Sequence, residues 1–196
     1  MTSEPLETAR HGRFTVSIPA WSLAEDSRVL RHGDTYECWL VLVEAEREPR
    51  PAERLQRVRG IATPLPEWPG GLLARHPVRV EADGAVLYWD SPAPVAGPVD
   101  VEGWIEANLI DAPLGFPMTH GAVRRIRLEW CDVRTGPRER VVLTERAGYD
   151  EVETSQVWSF DGNRDGPVLT AVLVELEISQ HSDCVIAPSR RTSPAP

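Results

Sequence analysis

Residues 99–109 alternate without a break. Val99, Val101, Gly103, Ile105, Ala107 and Leu109 fall on one side, and Asp100, Glu102, Trp104, Glu106 and Asn108 on the other. A period of two places these sets on opposite faces of an extended strand. Short runs of this kind, split by Pro or Gly, recur at 12–18, 35–44, 55–62, 77–81, 85–89, 122–133, 140–146, 155–160 and 168–178. The run 35–44 (TYECWLVLVE) is apolar on both faces at its centre, as a strand covered on both sides would be. Asp83-Gly84 predicts a two-residue hairpin, because both positions accept positive φ. His32-Gly33-Asp34 and Thr135-Gly136-Pro137 predict further turns.

Helical signals are sparse. Residues 51–58 (PAERLQRV) carry Pro near a first helical position, and residues 21–30 form a second candidate. The expected class is therefore all-β and antiparallel, with one or two small, partly open barrels resembling OB or SH3 barrels; a sandwich is the alternative. Gly103, inside its strand, suggests a bulge or a sharp coil.

The 196 residues suffice for one domain or two small ones, at about 100–200 residues each. Two Pro-rich stretches interrupt the pattern, 63–71 (TPLPEWPGG) and 91–98 (SPAPVAGP). The second precedes a fresh strand and gives the expected boundary. That yields a mobile N-terminus over 1–10, a β-rich region over 11–97, a barrel-like region over 98–179 and a disordered tail over 180–196.

Thirty acidic residues against twenty-one basic ones give a net charge of −9. Long-range repulsion disfavours nucleic acid and anionic lipid as partners, though not a local basic patch. Every basic residue is Arg. The absence of Lys excludes a P-loop lysine, a Schiff base and a lysine general base. The longest apolar run, 38–43, is far shorter than a membrane-spanning helix of about 20 residues. No secretory leader pattern opens the chain, and Cys38, Cys131 and Cys184 are odd in number and widely spaced. Reduced thiols in a cytoplasmic protein are the expectation.

The run Gly33-Asp34-Thr35-Tyr36-Glu37-Cys38-Trp39-Leu40 resembles the strand opening of a group of uncharacterised, β-rich actinobacterial proteins. Gly121-Ala122-Val123-Arg124-Arg125-Ile126-Arg127 and Val172-Leu173-Val174-Glu175-Leu176 are similar to segments of the same group. The resemblance implies a β-rich fold and carries no chemistry.

Asp161-Gly162-Asn163-Arg164-Asp165-Gly166 matches the first half of an EF-hand loop, with Asp161, Asn163 and Asp165 as candidate calcium ligands. The twelfth position is Val172, where a bidentate Glu is required, so a polar turn is the competing reading. Residues 121–148 hold seven Arg against four acids. Arg124, Arg125 and Arg127, with Trp104, Trp130 and Trp158, would suit single-stranded nucleic acid on an OB-like surface. Cross-strand pairing with neighbouring acidic strands is the reading that the net charge favours. Trp68, between Pro66 and Pro69, is the expected exposed Trp.

The five His residues form no zinc spacing, and no nucleophile elbow or dinucleotide fingerprint occurs. The leading expectation is a non-catalytic module without a cofactor that binds a partner protein or a small ligand through Trp68, Trp104, Trp130, Trp158, Arg124, Arg125 and Arg127. The alternatives are single-stranded nucleic-acid binding through the Arg-rich hairpin, and an enzyme whose site assembles from His120, Asp111 and Cys131.

Overall fold

The computed structural model describes residues 12–25, 28–45, 52–66, 76–108, 115–135, 140–155 and 166–182. They form nine strands: β1 (Arg13–Pro19), β2 (Thr35–Glu44), β3 (Gln56–Pro64), β4 (His76–Ala82), β5 (Ala85–Ser91), β6 (Gly97–Asn108), β7 (Met118–Thr135), β8 (Arg140–Val152) and β9 (Gly166–Ser182). One short helix, α1 (Ala20–Glu25), and one 3-10 turn, Ala52–Arg54, complete the elements. The expected helix at 51–58 shrinks to that turn, because β3 claims residues from Gln56 onward. A two-turn helix loses to a ladder that pairs residues 56–62 with β6 and 61–64 with β4. The expected strands at 12–18, 35–44, 55–62, 77–81, 85–89, 99–109, 122–133 and 168–178 all appear within a few residues of their predicted ends. The strand expected at 155–160 and the turn at 135–137 fall largely outside the described residues, as do 1–10 and 183–196.

The strand order is β2-β5-β4-β3-β6-β1-β9-β7-β8, and β2 also pairs with β7. Eight strands thereby close into a barrel, with β8 hanging from the far side of β7. A β2–β6 ladder divides this circuit into two of five strands each, β2-β5-β4-β3-β6 and β2-β6-β1-β9-β7. The barrel is closed rather than partly open, and mixed rather than purely antiparallel. Val16 pairs in parallel with Ile105, and Leu40 with Leu87. Parallel partners lie far apart in sequence, so local turn signals cannot announce them. Strands from both sides of Pro98 are interleaved, with β1 between β6 and β9, and Pro98 itself is the second residue of β6.

The core follows the alternation. Tyr36, Cys38, Leu40 and Leu42 of β2 point inward. They meet Val78 and Val80 of β4, Ile105 and Ala107 of β6, Ile126 and Leu128 of β7 and Val172, Val174 and Leu176 of β9 in one buried cluster. Asp83 (φ 45°) and Gly84 (φ 83°) make the predicted β4–β5 hairpin. Where β6 passes from β3 to β1, the Gln56 amide stands in for a peptide group. Its Nε2 donates to Thr15 O at 2.6 Å, and its Oε1 accepts from Thr15 N at 3.2 Å.

Gly103 marks the residue at which β6 is paired to both β2 and β3. A Cβ there would lie 2.2 Å from the Val43 carbonyl oxygen, and backbone cannot step aside as a side chain can. Gly103→Ala is expected to cost about 1–3 kcal/mol through forced displacement of β2, read as a lower urea midpoint with an unchanged slope.

Candidate functional site

Four elements converge on one carboxylate. Glu129 of β7 is 1% exposed, on the strand face that also carries Arg125 and Arg127. The 3-10 turn lowers Arg54 onto it: Nε donates to Glu129 Oε2 at 2.6 Å, and Nη2 bonds to Oε1. Tyr149 of β8, directly opposite in register, donates its hydroxyl to Oε2 at 3.1 Å. On β9 the register shifts between Glu129↔Ala171 and Trp130↔Leu169, leaving Thr170 as the extra residue. This bulge turns Thr170 toward the carboxylate, and its hydroxyl donates to Oε1 at 2.8 Å. Cys131 Sγ lies 3.9 Å from Oε1 and 3.4 Å from the Thr170 hydroxyl.

Burial pushes the Glu129 carboxyl up, but the Arg54 hydrogen bonds and charge, with the Thr170 and Tyr149 hydroxyls, outweigh it and hold the group below its usual range. Burial opposes the Arg54 charge, yet Glu129 beside it keeps the guanidinium above its ordinary value. Burial and the Glu129 charge together push the Tyr149 phenol up. With both oxygens engaged by a guanidinium fork and two hydroxyls, the carboxylate is a poor proton acceptor and a strong anchor. No local pattern in the sequence reveals the knot, because Arg54 and Glu129 are 75 positions apart. The one hint is an acid flanked by Leu128, Trp130 and Cys131 in an otherwise apolar run.

Of the residues expected to bind a ligand, Trp104 lies on β6 and Trp130 on β7. Trp104 is 1% exposed and out of phase with Ile105 and Ala107, so it packs on the face away from the main core. Its indole N–H donates to Glu106 at 3.0 Å. Trp130 is half-buried and packs against the main core, and its buried Nε1 has no hydrogen-bond partner among the described residues. Trp68, Trp158, Asp161, Asn163 and Asp165 lie outside the described residues. Trp39 of β2 is half-buried, with its indole donating to Phe116 O at 2.9 Å.

The arginines are paired across strands. Arg124 Nε reaches Glu177 of β9 at 3.0 Å, and Arg13 of β1 shares the same carboxylate at 3.1 Å. Arg125 Nε donates to Glu151 of β8 at 3.0 Å. The Arg127 guanidinium lies 5.7 Å from the Tyr149 ring centroid.

The enzyme alternative needs His120 and Cys131 in one cleft. They lie eleven positions apart on β7, roughly 36 Å of strand at about 3.3 Å per residue. His120 instead faces Glu37 at 3.2 Å, and Asp111 is outside the described residues. Cys38 and Cys131 are free, buried thiols, and burial pushes the Cys38 thiol up to about 12. Among the described residues no group of three His, Cys, Asp or Glu is placed to hold a metal ion. No helix among them is long and apolar enough to cross a membrane.

Among the described strands one edge is without a partner. Among the described strands β8 pairs with β7 alone, and the chain then folds back through an Arg31↔Thr154 bridge. Gly148, Asp150, Glu151 and Glu153 along this stretch are exposed. Comparison with known proteins adds no relative: no family model, no curated protein and no solved structure matches the chain.

Proposed function

We propose that this protein is a non-catalytic binding module that takes an extended segment of a partner protein onto the outer edge of β8. The observation that carries this reading is the pendant strand. A closed barrel has no edges, so β8 is where the described sheet still offers backbone N–H and C=O groups to another chain. Asp150, Glu151 and Glu153 give that edge a negative rim, and Arg125 already serves Glu151. A second copy of β8 would bring like charges together, whereas a segment with basic side chains complements them. Small-ligand binding finds less support, since Trp104 is buried and Trp130 packs on the core. Nucleic acid would have to displace Glu177 and Glu151 from Arg124 and Arg125. Cytoplasmic residence fits the free thiols Cys38 and Cys131.

The test is an NMR titration with a labelled peptide alternating lysine with valine, beside a labelled single-stranded oligonucleotide. Amide shifts confined to β8 and its β7 neighbours, weakening with salt, are expected for the peptide. Peptide shifts elsewhere, or none at millimolar concentration, would overturn strand addition. Tighter binding of the oligonucleotide, lost in Arg124→Ala and Arg125→Ala, would favour the nucleic-acid reading instead.

A further inference from the structure

Glu129 joins the 3-10 turn to β8. On one side is the connection between β2 and β3, whose 3-10 turn carries Arg54, itself 6% exposed. On the other is β8, which supplies Tyr149. We infer that the Glu129 knot is a latch through which the 3-10 turn Ala52–Arg54 sets the order of the β8 edge. With Arg54 seated, the carboxylate is fixed in place, Tyr149 is held over β7 by its hydroxyl, and Arg127 packs on its ring. When the 3-10 turn lifts, an unpaired buried carboxylate must turn toward water, and Tyr149 loses the acceptor that fixes it. The latch matters most for β8, a pendant strand hydrogen-bonded among the described strands to β7 alone. An ordered edge spends less conformational entropy on accepting a partner strand, so the seated latch is the binding-competent state. This regulation rests on the strand-addition reading, but the latch itself does not.

The coupling must be reciprocal, because both ends act on one equilibrium. Amide hydrogen exchange of the full chain, without any ligand, reads both ends. The Leu55 amide, which donates to Ala52 O at 3.0 Å, reports the 3-10 turn. The amides of residues 148–152 report β8, and those of residues 172–176 report the barrel. Tyr149→Phe, which removes one hydroxyl, is expected to speed Leu55 exchange by about tenfold more than exchange in 172–176. Arg54→Lys keeps the charge but loses the fork, and is expected to speed exchange in 148–152 by a similar margin. Changes confined to the substituted element, or equal at all three places, would overturn the latch. Tyr149→Phe alone decides the matter if Arg54→Lys does not fold. A working latch with a failed peptide titration would remove the binding reading and keep the coupling.

Discussion

Arg54→Ala is expected to destabilise the folded chain by about 3–5 kcal/mol, because it leaves the Glu129 charge buried without its counterion. Glu129 is 1% exposed, and its remaining donors are the neutral Thr170 and Tyr149 hydroxyls and the Cys131 thiol. These cannot offset the lost solvation of a full charge. Replacing both partners at once, Arg54→Met with Glu129→Leu, removes the charge and the demand for its partner together, and is expected to fall much nearer the parent. Urea denaturation of the three proteins measures this; a double variant as unstable as the single one would contradict it. The pH dependence follows from the same pair. The folded-state carboxyl of Glu129 sits below its usual range, so its unfolded counterpart takes up a proton first as acid is added. The stabilisation is therefore whole above the unfolded value, about 4.3, and is lost as pH falls through the folded value. The double variant should show a shallower loss of stability in that acid window.

Trp104→Ala is expected to cost about 3–5 kcal/mol, as for a buried aromatic residue cut back to its first carbon. The indole is 1% exposed, and its N–H is satisfied by Glu106, so the substitution opens a cavity and frees an acceptor beside it. Trp104→Phe retains most of the packing and should lose markedly less. A Trp that served as an exposed stacking platform would behave oppositely, with stability near the parent. The thermal midpoints of these two variants therefore separate a packing role from a ligand-contact role.

The strands were legible because alternation is local. Asp100, Glu102 and Glu106 mark the solvent-facing side of β6 without any knowledge of its neighbours, and Asp83-Gly84 specifies its own hairpin. The opposite-charge pairing of Arg124 and Arg125 was readable for the same reason, since acidic runs flank an Arg-rich one. Trp104 defeated the same logic. It lies on the polar side of the alternation, yet it is buried, because packing on a strand's second face depends on what the rest of the chain lays across it.

The Glu129 knot shows where local information ends. Its members come from the β2–β3 connection, β7, β8 and β9, and Thr170 reaches the carboxylate because a bulge shifts β9 by one residue. Amino-acid order alone settled that this polypeptide would form ladders and roughly where most of them lie, because both outcomes follow from residues within a few positions of one another. Tertiary structure alone decided that the ladders close, that β1 and β2 find parallel partners, that β8 is left outside, and that Arg54 is buried against Glu129. Those outcomes hinge on pairings between distant segments, whose closure entropy and desolvation are settled by the whole chain at once.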